Sequence, residues 1–135
     1  IAMKFGIADE GEEEDATDRL VGVALCTEED DVLLATRSGK AIRFMSTAIR
    51  EFQSRSSTGV RGVRLLGDDE VISMSILRRA GTTQEEREAY LKCPPWRERD
   101  TADCTLSPER MAEMAEKEQF ILTVTENGFG KRTSA

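Results

Sequence analysis

Val32-Leu33-Leu34-Ala35-Thr36-Arg37, then Ser38-Gly39, then Lys40-Ala41-Ile42-Arg43-Phe44: two short apolar-rich runs joined by a Ser-Gly pair decide the fold class. Runs of this length are too short for a buried helix and are bounded by turn residues, so they read as strands. Gly39 supplies the positive φ that a tight hairpin turn requires.

Outward from this hairpin the same punctuation recurs. Upstream, Ile1–Ile7 alternates loosely as a strand, the acidic stretch from Asp9 to Asp18 reads as a solvated loop, Leu20–Cys26 as a buried strand, and Thr27–Asp31 as an acidic turn. Downstream, Ser46–Arg50 suits one helical turn capped by Ser46. The small, polar and basic stretch Ser54–Gly62 reads as a loop. Val63–Leu66 and Val71–Leu77 read as strands around the turn Gly67-Asp68-Asp69. Residues 78–119 change character. Gln84–Lys92 is charged with helical spacing and is stopped by Cys93-Pro94-Pro95. Ser107-Pro108-Glu109 starts a second helix, with a Ser cap, Pro at the first helical position and Glu in the first turn. Met111, Met114 and Ala115 give that helix its apolar face. The β pattern resumes at Phe120–Thr125, turns at Asn127-Gly128, and returns through Phe129–Thr133.

These segments repeat. An opening strand, an acidic turn, an apolar strand, a further strand, a Gly turn and a basic strand occur twice, with Thr36-Arg37-Ser38-Gly39-Lys40 set against Thr125-Glu126-Asn127-Gly128 followed by Lys131. With the helical segment removed, the unit is about 50 residues long, a period that indicates propeller-like blades. One small twisted sheet cannot bury both faces and needs neighbouring blades. The expected fold is therefore all-β, with β-pinwheel or propeller-like blades and a helical insertion. Residues 1–77 hold the first blade and the start of the second, 78–119 the insertion, and 120–135 the rest of the second blade, all within one piece of a larger domain.

Composition bounds the function. The 135 residues are 39% hydrophobic and 33% charged, with a formal net charge of -7, a globular composition. No apolar run approaches the ~20 residues of a membrane-spanning helix, and the first residues lack a secretory leader pattern. The three cysteines, Cys26, Cys93 and Cys104, are odd in number and irregularly spaced, which argues against a disulfide framework and for a reducing cytoplasm. With no histidine, the usual zinc ligand sets cannot be completed, and a histidine general base is excluded. No P-loop or metal-ligand motif is present, so the expectation is no catalytic residue and no metal or cofactor in this chain. Charge is uneven: from Ala35 to Leu65 stand Arg37, Lys40, Arg43, Arg50, Arg55, Arg61 and Arg64 against the single acid Glu51.

The stretch Ser56–Leu65, the hairpin Leu33–Phe44 and the segment Leu122–Thr133 together resemble the C-terminal DNA-wrapping domain of gyrase A subunits, over about residues 1–77 and 120–135. That family's heptapeptide Gln-Arg-Arg-Gly-Gly-Lys-Gly would fall on Ser56, Ser57, Thr58, Gly59, Val60, Arg61 and Gly62. Only Gly59, the basic Arg61 and Gly62 are kept, as in a degenerate internal blade. The resemblance implies a β-pinwheel whose basic rim bends duplex DNA without reading its sequence. It also implies work inside a holoenzyme of two A and two B subunits, with ATP and Mg bound elsewhere and neighbouring blades of the same domain as partners. The C-terminal domain of the topoisomerase IV A subunit is the alternative within that class, and a propeller-like protein-interaction module the alternative outside it. Candidate phosphate contacts are Arg37, Lys40, Arg43, Arg55, Arg61, Arg64, Lys131 and Arg132, with Gly59 and Gly62 letting backbone N–H groups approach a phosphate. The acidic stretches 9–18 and 27–31 are expected to lie away from the DNA path. Phe44, Phe120 and Phe129 are expected in blade cores. Tyr90, the one tyrosine, stands in no context resembling the family's DNA-cleaving site.

Overall fold

The computed structural model describes residues 19–53, 57, 59–93 and 104–135. The expected strand at 1–7, the acidic stretch 9–18, Ser54, Arg55, Ser56, Thr58, Pro94, Pro95 and Trp96 lie outside the described residues. The elements in order are β1 (Asp30–Thr36), β2 (Ala41–Met45), a 3₁₀ turn (Ser46–Ala48), β3 (Val71–Arg78), α1 (Gln84–Lys92), α2 (Pro108–Lys117), β4 (Phe120–Val124) and β5 (Gly130–Ser134). They fall into two compact units, Ile1–Leu77 and Arg78–Ala135.

In the first unit a three-stranded sheet runs in the order β2-β1-β3. The most buried strand, β1, takes the centre, where both edges are paired. β1 and β2 are antiparallel, with Val32 opposite Phe44, Leu33 opposite Arg43 and Leu34 opposite Ile42. Opposed residues share a face, so Val32, Leu34, Ile42 and Phe44 line one face. Asp31, Leu33, Arg43 and Met45 line the other. Val32 and Leu77 are buried here, and the two buried polar residues are Asp31 and Thr36.

In the second unit β4 and β5 form a two-stranded antiparallel sheet with Phe120 opposite Ser134 and Leu122 opposite Arg132. Two helices precede it. Thr83 opens α1 with a capping box: its hydroxyl accepts from Glu86 N (3.2 Å), while Thr83 N donates to Glu86 Oε2 (2.9 Å). Ser107 caps α2 by accepting from Arg110 N (3.2 Å), with Pro108 in the first turn. Arg110 couples the helices through a fork on Glu86 (Nε–Oε1 2.8 Å, Nη2–Oε2 3.0 Å), a bond to Gly81 O (3.2 Å) and another to Glu113 Oε2 (2.6 Å). The Arg110 guanidinium and then the Thr83 amide hold the Glu86 carboxyl below its usual range. Buried Met114 and Tyr90 are the packing centre of this unit. Both helices lie between Arg78 and Gln119, and the Gln119 side chain closes that neck, donating to Arg78 O (2.8 Å) and accepting from Arg78 N (3.2 Å).

Several expectations change. Leu20–Cys26 and Val63–Leu66 form no strand; Leu20, Val23 and Leu25 are exposed. An apolar run becomes a strand only where an edge is free to pair with it, and β2-β1-β3 is the pairing found in this unit. Ser46 does not cap the 3₁₀ turn; its hydroxyl donates to Thr27 O (2.7 Å). Cys93 and Cys104 are joined by a disulfide, with Cα atoms 6.0 Å apart, against the reading of no disulfide. Folding of the insertion brings them together, which spacing alone does not reveal. Phe44 is half-buried, but Phe120 and Phe129 are exposed, because a two-stranded sheet has no further strand or layer to cover them. Among the described residues no helix is long and apolar enough to cross a membrane.

Candidate nucleic-acid interface

The turn between β1 and β2 is built by its own residues. Gly39 N donates to Thr36 O (3.0 Å), Thr36 N to Lys40 O (2.8 Å), and Lys40 N to the Thr36 hydroxyl (3.3 Å), with Gly39 at φ 84°. The turn between β4 and β5 repeats the pattern: Gly128 N to Thr125 O (2.9 Å), Thr125 N to Phe129 O (2.9 Å), Phe129 N to the Thr125 hydroxyl (3.2 Å), and Gly128 at φ 80°. The hairpins are therefore equivalent, with Thr36 matching Thr125. That match keeps the Thr36/Thr125 and Gly39/Gly128 register and extends it along both strands. Lys40 corresponds to Phe129, Ile42 to Lys131, Arg43 to Arg132 and Asp31 to Phe120, so Lys40 and Lys131 are not counterparts.

The eight candidate cations fall into different settings. Arg37 and Lys40 flank the first turn and are exposed, as are Arg61 and Arg64. Arg43 lies on a sheet face and is held by Asp31 across the strands (Nε–Oδ2 2.8 Å), where the Asp31 side chain is only 10% exposed. Arg132, its counterpart, lies over the Phe120 ring at 4.4 Å from the centroid. Both arginines thus lean on the residue at the same cross-strand position, a carboxylate in one hairpin and an aromatic face in the other. Lys131 and Arg132 are neighbours on a strand and so address opposite faces. Arg55 lies outside the described residues. Arg50, a base left out of the candidate set, stacks over Phe52 at 4.8 Å.

Of the degenerate heptapeptide, Ser57, Gly59, Val60, Arg61 and Gly62 are described. Gly59 N donates to the Ser57 hydroxyl (3.1 Å), and Gly59 sits at φ 81°. Gly62 backs directly onto the apolar face of the hairpin: a Cβ there would lie 2.9 Å from Leu34 Cδ1 and 3.7 Å from the Phe44 ring. Close packing thus accounts for Gly62 and seats Arg61 and Arg64 beside the hairpin.

Two acids shape this surface. The Asp69 carboxylate accepts from the Ser38 hydroxyl (2.6 Å) and the Ser38 amide (2.9 Å). These bonds, the hydroxyl first, hold its carboxyl down at about 2. Glu70 O accepts from Arg37 N (2.9 Å), and the Glu70 carboxylate pairs with both Arg37 and Arg19 (3.3 Å to the latter). In the sequence Asp69 reads only as part of an acidic turn and Glu70 as its edge. The separation of 31 positions from Ser38 to Asp69 leaves no local sign of the clamp.

Elsewhere, Tyr90 is 4% exposed and its hydroxyl donates to Glu118 Oε2 (2.8 Å), so it is a packing residue of the insertion. Among the described residues no group of three His, Cys, Asp or Glu could hold a metal ion.

Residues 30–78 and 119–135 match the family described as DNA gyrase C-terminal domain, beta-propeller. The gap between them holds α1 and α2 and is bounded by the Arg78–Gln119 neck. The chain is similar to the DNA gyrase A subunit of Rickettsia bellii, at 48% identity over 132 residues, covering 90% of this chain and 14% of that protein. It is similar to the DNA gyrase A subunit of Granulibacter bethesdensis at 46% identity, covering 100% of this chain and 16% of that protein. For the DNA gyrase A subunit of Salmonella typhimurium the identity is 35%, covering 87% of this chain and 9% of that protein. The chain thus spans a small fraction of the length of the curated relatives it matches.

Proposed function

This chain belongs to the DNA gyrase C-terminal β-propeller family, and on that footing we propose that it binds and bends duplex DNA without reading its sequence. The observation that carries the reading is a set of exposed cations in a chain whose net charge is -7: Arg37 and Lys40 at the first hairpin turn, and Arg61 and Arg64 in the segment whose Gly62 packs on that hairpin. Phosphate neutralisation needs cations on a shaped surface and no base-edge contacts. Bending a short duplex smoothly costs ~1–6 kcal/mol, which several phosphate contacts per blade offset. Arg43 and Arg132 serve mainly to fix their sheets, and Lys131 is an exposed cation of the second hairpin.

The fragment acts as a scaffold and not as a catalyst. The parent protein is a gyrase A subunit working in the cytoplasm with gyrase B, in a holoenzyme that binds ATP and Mg elsewhere. Neighbouring blades continue the charged rim. The gyrase A relatives do not favour the topoisomerase IV reading or a module that binds only proteins. The test is binding of the full-length protein to a random-sequence duplex over a salt series. Affinity should fall steeply with salt. Reversing Arg37, Lys40, Arg61 and Arg64 together should reduce the log–log slope by about 0.9 for each phosphate no longer neutralised. An unchanged slope and affinity would overturn the reading.

A further inference from the structure

Glu70 engages two arginines, one of them at the turn between β1 and β2. Its carboxylate is 33% exposed and holds Arg37 of the DNA-facing turn through Oε1 and Arg19 through Oε2. Both arginine side chains are 68% exposed, so they are held by this one acid and otherwise face solvent. The Glu70 backbone also accepts from Arg37 N (2.9 Å), which keeps the two residues together whatever the side chains do. Its neighbour Asp69 is differently engaged. Both Asp69 oxygens are taken up by Ser38, and Glu70 N also donates to Oδ1 (3.0 Å). Asp69 therefore shapes the turn, whereas Glu70 spends its charge on cations.

We propose that Glu70 is a built-in competitor of DNA phosphate: its carboxylate occupies Arg37 until a phosphate displaces it, and so it sets how tightly this blade holds DNA. The proposal rests on the DNA-binding reading above. A carboxylate and a phosphate oxygen make the same demand on a guanidinium, so a phosphate that takes the Nη2 edge of Arg37 must displace Glu70. Because Arg37 is mostly exposed, the pair is screened and the effect is modest. Glu70→Gln keeps the size and the backbone bond but removes the charge. It should tighten DNA binding by about twofold to fivefold, the range of an exposed ion pair. It should also steepen the salt dependence toward one more phosphate contact, a slope change of up to about 0.9. A group that merely held the fold would not raise affinity when neutralised.

The experiment measures duplex binding across a salt series for the full-length protein and for Glu70→Gln, Arg37→Gln, the double variant and Asp68→Asn. Asp68 is an exposed acid of the same turn and controls for general charge repulsion. The expected result is tighter binding for Glu70→Gln, lost in the Arg37→Gln background and absent in Asp68→Asn, with unaltered thermal melting. A gain that persists without Arg37, an equal gain in Asp68→Asn, or no gain at all would each overturn the proposal. If the unaltered protein bound no DNA at any salt, the DNA-binding reading itself would fail, which separates the two outcomes.

Discussion

Raising the pH past 10 should drain stability through one buried phenol, and the loss can be metered. Tyr90 is 4% exposed and donates to Glu118 Oε2 at 2.8 Å. Burial first, and then the Glu118 carboxylate, push its phenol well above the ordinary value of 10.0. A group whose pKa is raised on folding contributes stability that is full below the unfolded value and is lost as pH climbs toward the folded one. Between pH 10 and the folded value the unfolded chain releases a proton that the folded chain keeps, so stability drops by about 1.4 kcal/mol per pH unit from this group. At pH 11 the accumulated loss is about 1.4 kcal/mol. Tyr90→Phe removes both the titration and the hydrogen bond. At pH 7 it should be less stable by about 1.5–3 kcal/mol, the range for a bond to a charged acceptor. The gap should then narrow above pH 10, since the variant lacks the proton-linked slope. Denaturant unfolding followed through the insertion at pH 7, 9, 10 and 11 gives both numbers, and subtraction cancels the lysines, which titrate alike in both proteins. A gap that stays constant from pH 7 to pH 11 would refute the buried, hydrogen-bonded Tyr90.

At the acid end the sign reverses for Asp69. Its pKa is lowered to about 2 from 3.8, so the Ser38 clamp is intact above about 4 and is lost as pH falls toward 2. Carboxyl titration followed by NMR should show Asp69 among the last acids to protonate, and Ser38→Ala should move it upward. Gly62→Val should destabilise the first unit by about 1–3 kcal/mol, the range for overpacking, because Leu34 Cδ1 already lies 2.9 Å from where a Cβ would stand. A melting temperature unchanged by that substitution would contradict the packing. Reducing the Cys93–Cys104 disulfide, which spans 11 positions, should cost the insertion about 3 kcal/mol by the loop-entropy relation, read as a lower denaturation midpoint in the presence of a thiol.

Legibility followed the range of the signal. Ser38-Gly39, Asn127-Gly128 and Ser107-Pro108 carry their structural instruction within two or three residues, and the turns and the second helix stand where those residues put them. Thr83-Gln84-Glu85-Glu86 holds an equally local capping box, which a reading of that helix from its charges alone passes over. The strands were less readable. Leu20–Cys26 is as apolar as β1, yet only β1 gained a partner on both sides, and pairing is a property of the whole sheet, not of the run. The candidate site divides in the same way. A surplus of cations between Ala35 and Leu65 is plain in the sequence. Which of them face solvent, and which are engaged by Asp31 or Glu70, depends on contacts across strands and across dozens of residues.

The two hairpins carry the synthesis one step further. Their turns share backbone bonds, glycine conformation and threonine anchors, so the scaffold is duplicated. What differs is chemistry laid on equivalent positions: Arg37 and Lys40 in one turn become Glu126 and Phe129 in the other. A turn bearing two cations and one bearing an acid and an exposed phenyl ring cannot draw the same phosphate. Meanwhile the arginine on the second strand is kept, leaning on Asp31 in one hairpin and on Phe120 in the other. The position that holds the sheet together is therefore preserved while the position that meets solvent varies. On the DNA-binding reading, grip is set blade by blade at the turn tips, and moving Arg37 and Lys40 onto the second turn should transfer affinity without disturbing the fold.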